Sequence, residues 1–147
     1  MKTKGLLAIA FLLGIFFSVQ AADHVKGNGK LSTKKITVGD YNAIKIDGVI
    51  DFNYEQSDAT PYLEVTVDEN LHPYVNIDIK DRELTVSFKG AKVDHFTKFI
   101  VKTNSKWLKE VKAAGNANFM INSKLTGDEL KIKANSNCLV QLKEKVE

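Results

Sequence analysis

The sequence predicts an all-β fold in which antiparallel strands lead into a β-solenoid of few coils. Three observations predict it. Apolar and polar residues alternate through most of the chain after Thr33, and a period of two places every second side chain on one face of a strand. Turn-forming residues separate the alternating runs. Near the C-terminus the chain matches itself at a spacing of 21 residues.

The elements follow in order. Ile36-Thr37-Val38 opens the alternation. Ala43 to Asp47 reads as a strand with Ile44 and Ile46 inward, and Asp47-Gly48 is a tight-turn dipeptide before the run Val49 to Tyr54. Tyr62 to Asp68 puts Leu63, Val65 and Val67 on one face and Tyr62, Glu64 and Thr66 on the other. Asp68 to Leu71 is a short helix-like stretch. Val75 to Ile79 and Leu84 to Phe88, joined by Asp81-Arg82-Glu83, read as an antiparallel hairpin. Phe99 to Thr103 and Glu110 to Ala113 follow. Pro61 and Pro73 fall between strands, where a missing N–H costs no ladder bond.

The self-match lays Val111 to Ile121 over Ile132 to Leu142. Val111 falls on Ile132, Ala113 on Ala134, Gly115 on Ser136, Ala117 on Cys138, Phe119 on Val140 and Ile121 on Leu142. Repeats near this length stack because one copy cannot bury its apolar face alone. Like positions would then lie about 4.8 Å apart on parallel neighbours. The alternative is two ordinary sandwich strands that look alike.

The N-terminus reads as an address. Lys2 and Lys4, the apolar run Gly5 to Phe17 and the small residues Val19 and Ala21 are ordered as in a secretory signal peptide over residues 1–21. The run is shorter than the roughly 20 apolar residues of a membrane span. Residues 22–35, with few apolar side chains, read as a flexible leader before a single domain at 36–147. No membrane span is expected after cleavage. The only cysteine, Cys138, excludes an internal disulfide.

Charge excludes one class of partner. The chain carries 21 basic and 18 acidic residues, a net of +3, and loss of Lys2 and Lys4 lowers that to +1. So even a balance is not that of a nucleic-acid binder. The halves differ in sign, however. Residues 23–97 are net negative and 98–147 net positive.

Three segments carry a family resemblance. Gly39 to Gly48, Val65 to Leu71 and Asp81 to Val86 resemble the "head GIN domain" of autotransporter adhesins, as does Leu108 to Val111 leading into Ala114-Gly115-Asn116-Ala117. The resemblance implies right-handed parallel β-helix coils and an exported protein of a Gram-negative bacterium, in the periplasm or on the outer surface. It implies an adhesion or interaction role, with a surface glycan or envelope protein as partner. Two departures stand out. Ala114-Gly115-Asn116 and Asn135-Ser136-Asn137 replace the family's glycine–serine–glycine signatures, and family members continue for further coils. An unfinished solenoid would leave an edge open to self-association. The charged segment Lys143 to Glu147 is then either a cap or the end of a shortened relative.

Candidate chemistry is sparse. His24, His72 and His95 lack metal-ligand spacing, and no catalytic residue, metal site or cofactor is expected. Cys138, by its match to Ala117, should face inward as a small apolar residue. Asp47, Asp51, Asp68, Glu69, Asp78 and Asp81 are numerous enough for polysaccharide chemistry but fall at turns or on polar faces. Trp107 could stack on a sugar, although the alternation of Phe99, Val101 and Thr103 before it points inward. The remaining candidates are Lys109, Lys112, Lys131 and Lys133, of which Lys112 and Lys133 match at 21 and would form a stripe for an anionic glycan. The leading expectation is thus an exported non-catalytic interaction module. A carbohydrate-active enzyme and a purely structural envelope protein are the alternatives.

Overall fold

The computed structural model describes residues 24–135 and 137–143, so the expected signal peptide lies outside the described residues. The fold is all-β. Its strands are β1 (His24–Lys26), β2 (Leu31–Thr37), β3 (Ala43–Asp47), β4 (Asp51–Gln56), β5 (Tyr62–Asp68), β6 (Val75–Lys80), β7 (Glu83–Phe88), β8 (Lys92–His95), β9 (Phe99–Ser105), β10 (Glu110–Ala114), β11 (Asn118–Ile121), β12 (Lys131–Ala134) and β13 (Leu139–Leu142). A five-stranded sheet runs in the order β12-β10-β3-β7-β6, and a six-stranded sheet in the order β13-β11-β4-β9-β5-β2. Strands β1 and β8 pair separately.

The 21-residue match is a true register. β10 and β12 pair in parallel with Val111 opposite Ile132 and Ala113 opposite Ala134. β11 and β13 pair in parallel with Phe119 opposite Val140 and Ile121 opposite Leu142. A third layer escapes the sequence reading. β3 lies parallel to β10 with Ile44 opposite Val111, and β4 lies parallel to β11 with Phe52 opposite Phe119. Both pairings are 67 residues apart. Three rungs therefore stack, β3–β4, β10–β11 and β12–β13, each contributing one strand to each sheet.

The core lies between the sheets and follows the columns of the stack. Ile44, Ile46, Phe52, Tyr54, Val111, Phe119 and Ile121 are buried. The rings of Phe52 and Phe119 stack with centroids 5.1 Å apart and planes 11° from parallel. Among the described residues the outermost rung, β12–β13, pairs on one side, and Ile132 is 46% and Leu142 58% exposed. Cys138 is half-buried against the edge of the core rather than enclosed by it, and its Sγ lies 2.9 Å from Asn135 Oδ1.

Asp47-Gly48 turns the chain as expected, but as a corner. β3 and β4 do not pair with each other; they enter different sheets. The stack forces this, because each strand is already flanked by parallel neighbours. Gly115 makes the matching corner one rung away at φ 70°, where an added Cβ would sit 2.6 Å from Gly48 N. Only glycine fits so close a backbone approach at positive φ. The hairpin β6–β7 is antiparallel as expected, with Asp81 and Arg82 at φ 52° and 62°. Positive φ at both central residues defines the turn whose twist suits a two-residue hairpin.

Within the leader expected at residues 22–35, the described residues hold β1 and the first part of β2. β2 begins at Leu31 and pairs antiparallel with β5, and β1 pairs with β8. The helix-like stretch is a 3-10 turn at Glu69–Tyr74. Asp68, just before it, explains the ordering. Its side chain is fully buried, with Oδ1 accepting from Thr97 N (2.8 Å) and Oδ2 from Gly29 N (2.8 Å) and Thr97 Oγ1 (3.0 Å). A buried carboxylate must find donors, and residues 27–30 supply one. Asn70 adds two bonds, accepting from Asn28 N and donating to Lys26 O.

Two outcomes test this account. Phe119→Ala removes a stacked ring from the column and should cost about 3–5 kcal/mol in urea unfolding. Burial works to raise the Asp68 pKa, but the bonds from Thr97 and Gly29 outweigh it and hold the carboxyl below its usual value. Its stabilisation is thus present above the unfolded pKa near about 4 and is lost as pH falls through the folded value. Asp68→Asn should lower the urea midpoint at pH 7, and the gap to the unmodified protein should close in acid.

Candidate functional site

The outer face of the five-stranded sheet is a checkerboard of charge. Lys45, Lys112 and Lys133 occupy neighbouring positions on β3, β10 and β12. Glu110 and Lys131 form the adjacent row. Parallel in-register pairing would set like charges side by side, an arrangement that costs up to about 1 kcal/mol per pair. Carboxylates relieve it. Lys112 Nζ lies 3.1 Å from Glu83 Oε2 and 3.2 Å from Glu110 Oε1. The bonds to Glu83 and Glu110 raise the Lys112 pKa, and the bond from Lys112 holds the Glu110 carboxyl below its usual range.

Lys112 and Lys133, matched at 21 in the sequence, lie opposite each other on β10 and β12, with Lys131 in the adjacent row. Lys112 is held by two carboxylates, and Lys133 lies beside it on the outer strand. Lys109 and Lys131 also border a hollow beside Trp107. Their backbones are joined there, Lys131 N–H donating to Lys109 O at 2.8 Å. Lys45 was not singled out from the sequence. Its match to Lys112 at a spacing of 67 was the signal that could have found it.

Trp107 is the larger correction. The alternation from Phe99 pointed it inward, yet it is 54% exposed. The strand ends at Ser105, and with it the alternation. Ser105 Oγ donates to Trp107 O at 2.8 Å, and Leu108 takes the buried position in place of Trp107. Two open hollows meet at the indole. One, of about 470 Å³, is bounded by Trp107, Leu108, Lys109, Glu110, Lys131 and the segment Thr126 to Glu129. The other, of about 350 Å³, is bounded by Trp107, Gln56, Ser57, Asp58, Lys106, Lys124 and Thr126. The Gln56 amide, in the lining of the second, ties Lys106 to Thr126. Its Nε2 donates to Lys106 O and Thr126 Oγ1, both at 2.8 Å, and its Oε1 accepts from Thr126 N at 2.9 Å.

The histidines do not converge. His24 Nδ1 lies 2.8 Å from Asp94 Oδ2, while His72 Nε2–H donates to Ser32 O at 3.0 Å. Among the described residues, no group of three or more His, Cys, Asp or Glu is placed to hold a metal ion. No described helix is long and apolar enough to cross a membrane. The charge checkerboard makes one prediction. Lys112→Met leaves Glu83 and Glu110 without their shared cation, so it should lower the melting temperature, and by less in high salt than in low salt.

Comparison with known proteins places this chain in a family. The sequence profile described as "Putative auto-transporter adhesin, head GIN domain" matches residues 40–147. A crystal structure of a "putative adhesin" from Parabacteroides merdae is 85% identical, with a TM-score of 0.82, over 85% of this chain and 52% of that one. One from Parabacteroides distasonis is 76% identical, with a TM-score of 0.81, over 83% of this chain and 51% of that one. A second Parabacteroides distasonis structure, described as a "putative lipid binding protein", is 34% identical, with a TM-score of 0.71, over 76% and 49% of the two chains. The chain spans about half the length of these relatives. No curated protein matches it. The profile match over residues 40–147 and the identities of 85% and 76% agree: this chain belongs to the family described as "Putative auto-transporter adhesin, head GIN domain".

Proposed function

We propose that the chain is an exported, non-catalytic domain that acts by surface interaction at the cell envelope, its rungs wound as a right-handed parallel β-helix. The observation that carries this reading is the pair of parallel ladders, β3-β10-β12 and β4-β11-β13, running in register on opposite sides of one core. β10 reaches its parallel neighbour β12 by way of β11 in the other sheet. A crossover between parallel strands of one sheet is right-handed in about 98% of cases. The result is a stiff scaffold whose outer faces present regular rows of polar side chains, which suits a binding surface.

Export is supported by the order of charge, apolar run and small residues at 1–21. The adhesin descriptions of the family and of the Parabacteroides structures support the interaction role. Lys112 holds the Glu110 carboxyl low, so Glu110, bordering the larger hollow, is not suited to act as a glycosidic general acid, which needs a raised pKa.

Purified chain passed over immobilised envelope polysaccharide and mucin should give saturable binding, with the polymer recovered at its original length. Failure to bind any surface would overturn the reading. New reducing ends in the recovered polymer would replace it with the enzyme alternative.

A further inference from the structure

We infer that Trp107 is the platform of a saccharide site, with the two hollows beside it forming one groove for a neutral glycan chain. The inference deepens the surface-interaction reading and rests on it.

Four observations carry it. First, Trp107 is the only tryptophan of the chain and is 54% exposed, while Tyr41, Phe52, Tyr54, Phe99 and Phe119 are buried. An indole left in water retains apolar area that a ligand can cover, at roughly 25 cal/mol per Å². Second, the backbone beneath it is fixed. Tyr54 OH lies 2.7 Å from Ser105 Oγ, which donates to Trp107 O, and the next residue, Leu108, is buried. Lys109 N–H then donates to Asn42 O at 2.7 Å. A platform ordered in advance loses little freedom on binding. Third, the hollows of about 470 and 350 Å³ share Trp107 and Thr126 in their linings, and the Gln56 amide holds Thr126 in place. Each lies within the usual range of about 300–1,000 Å³ for ligand sites.

Fourth, the charge decides the ligand class. Four lysines and four carboxylates line the two hollows, so the formal charges cancel. A polyanion would gain no net attraction there. A sugar ring fits better, because it has an apolar C–H face for the indole and hydroxyl edges that both donate and accept. Carboxylates and ammonium groups can meet those edges without requiring charge on the ligand.

The sole tryptophan makes the test direct. Full-length chain is titrated with neutral oligomers of glucose, mannose and N-acetylglucosamine while indole emission is followed. The expected result is a saturable change with at least one oligomer. Its midpoint should move less than about twofold between 50 and 500 mM salt, because screening acts on charged ligands. Calorimetry with Trp107→Ala should show binding lost, with Trp107→Phe restoring part of it. The melting curve of Trp107→Ala should stay within a few degrees of the parent, as for other exposed positions. The assignment is overturned by no emission change across the panel, or by Trp107→Ala binding as tightly as the parent. It is equally overturned by a response confined to heparin or to phosphatidylglycerol vesicles. If the protein still binds envelope polysaccharide while Trp107→Ala binds as well, the groove assignment falls and the surface-interaction reading stands.

Discussion

The rest of the structure depends on parallel strands stacking in register, so that each slot along one rung sits over the same slot of the next. Side chains in a column must then agree in volume and polarity, because the interior is close-packed. Phe52 meets Phe119, and Ile44 meets Val111. Small residues are set by the same rule. Gly115 turns its corner against Gly48, where no Cβ could enter. Backbone bonds continue the ladder through the corners, from Gly48 N to Ala114 O and from Leu139 N to Ala117 O. A substitution in one slot is therefore felt by the rungs beside it.

The strands outside the three rungs complete what the short rungs cannot: β7 and β9 extend the parallel ladders from β3 and β4, and β6 and β5 close them antiparallel. β5, β6, β7 and β9 widen both sheets and supply Leu63, Val65, Leu84, Val86 and Val101 to the core. Polar groups enter that interior only with partners. Thr103 Oγ1 donates to Tyr62 O and meets the hydroxyl of Tyr41. Burial pushes the Tyr54 pKa up to about 12, with the Ser105 bond opposing that rise. Both tyrosines therefore stay neutral and act as hydrogen-bonding members of the core. Asp68 is the charged counterpart. It orders the turn at 27–30 by giving its backbone something to bind, and a compositionally polar segment becomes structure.

The same stacking sets the surface chemistry. Repetition brings lysines together at Lys45, Lys112 and Lys133, and the fold answers with Glu83 and Glu110. That exchange leaves the sheet face mixed in charge. The unrepeated part of the surface lies between the end of β9 and the start of β10, and in the segment joining β11 to β12. Trp107 sits there, on a backbone anchored from both sides. Regular strands supply the rigidity, and irregular connections supply the distinctive side chains, a common division of labour in β proteins.

The alternation after Thr33, the β6–β7 hairpin and the register at 21 were legible in the chain because each depends on neighbours close in sequence. Period two fixes which side chains share a face, and two adjacent copies reveal their own spacing. The first rung was not legible. Its match to β10 is separated by the strands β5 to β9, and only Lys45, Gly48 and Phe52 repeat as identical residues at Lys112, Gly115 and Phe119. The ordering of 24–37 was hidden as well, because it rests on the carboxylate of Asp68, some 39 residues from Gly29. The exposure of Trp107 was hidden too, because the strand stops at Ser105, and where a strand stops is set by its hydrogen-bond partners in the fold. Local sequence thus determined the strands and their buried faces. Tertiary structure alone decided which strands became neighbours, which lysines found carboxylates and which aromatic ring was left to the solvent, since each of those depends on atoms that meet only when the chain has closed on itself.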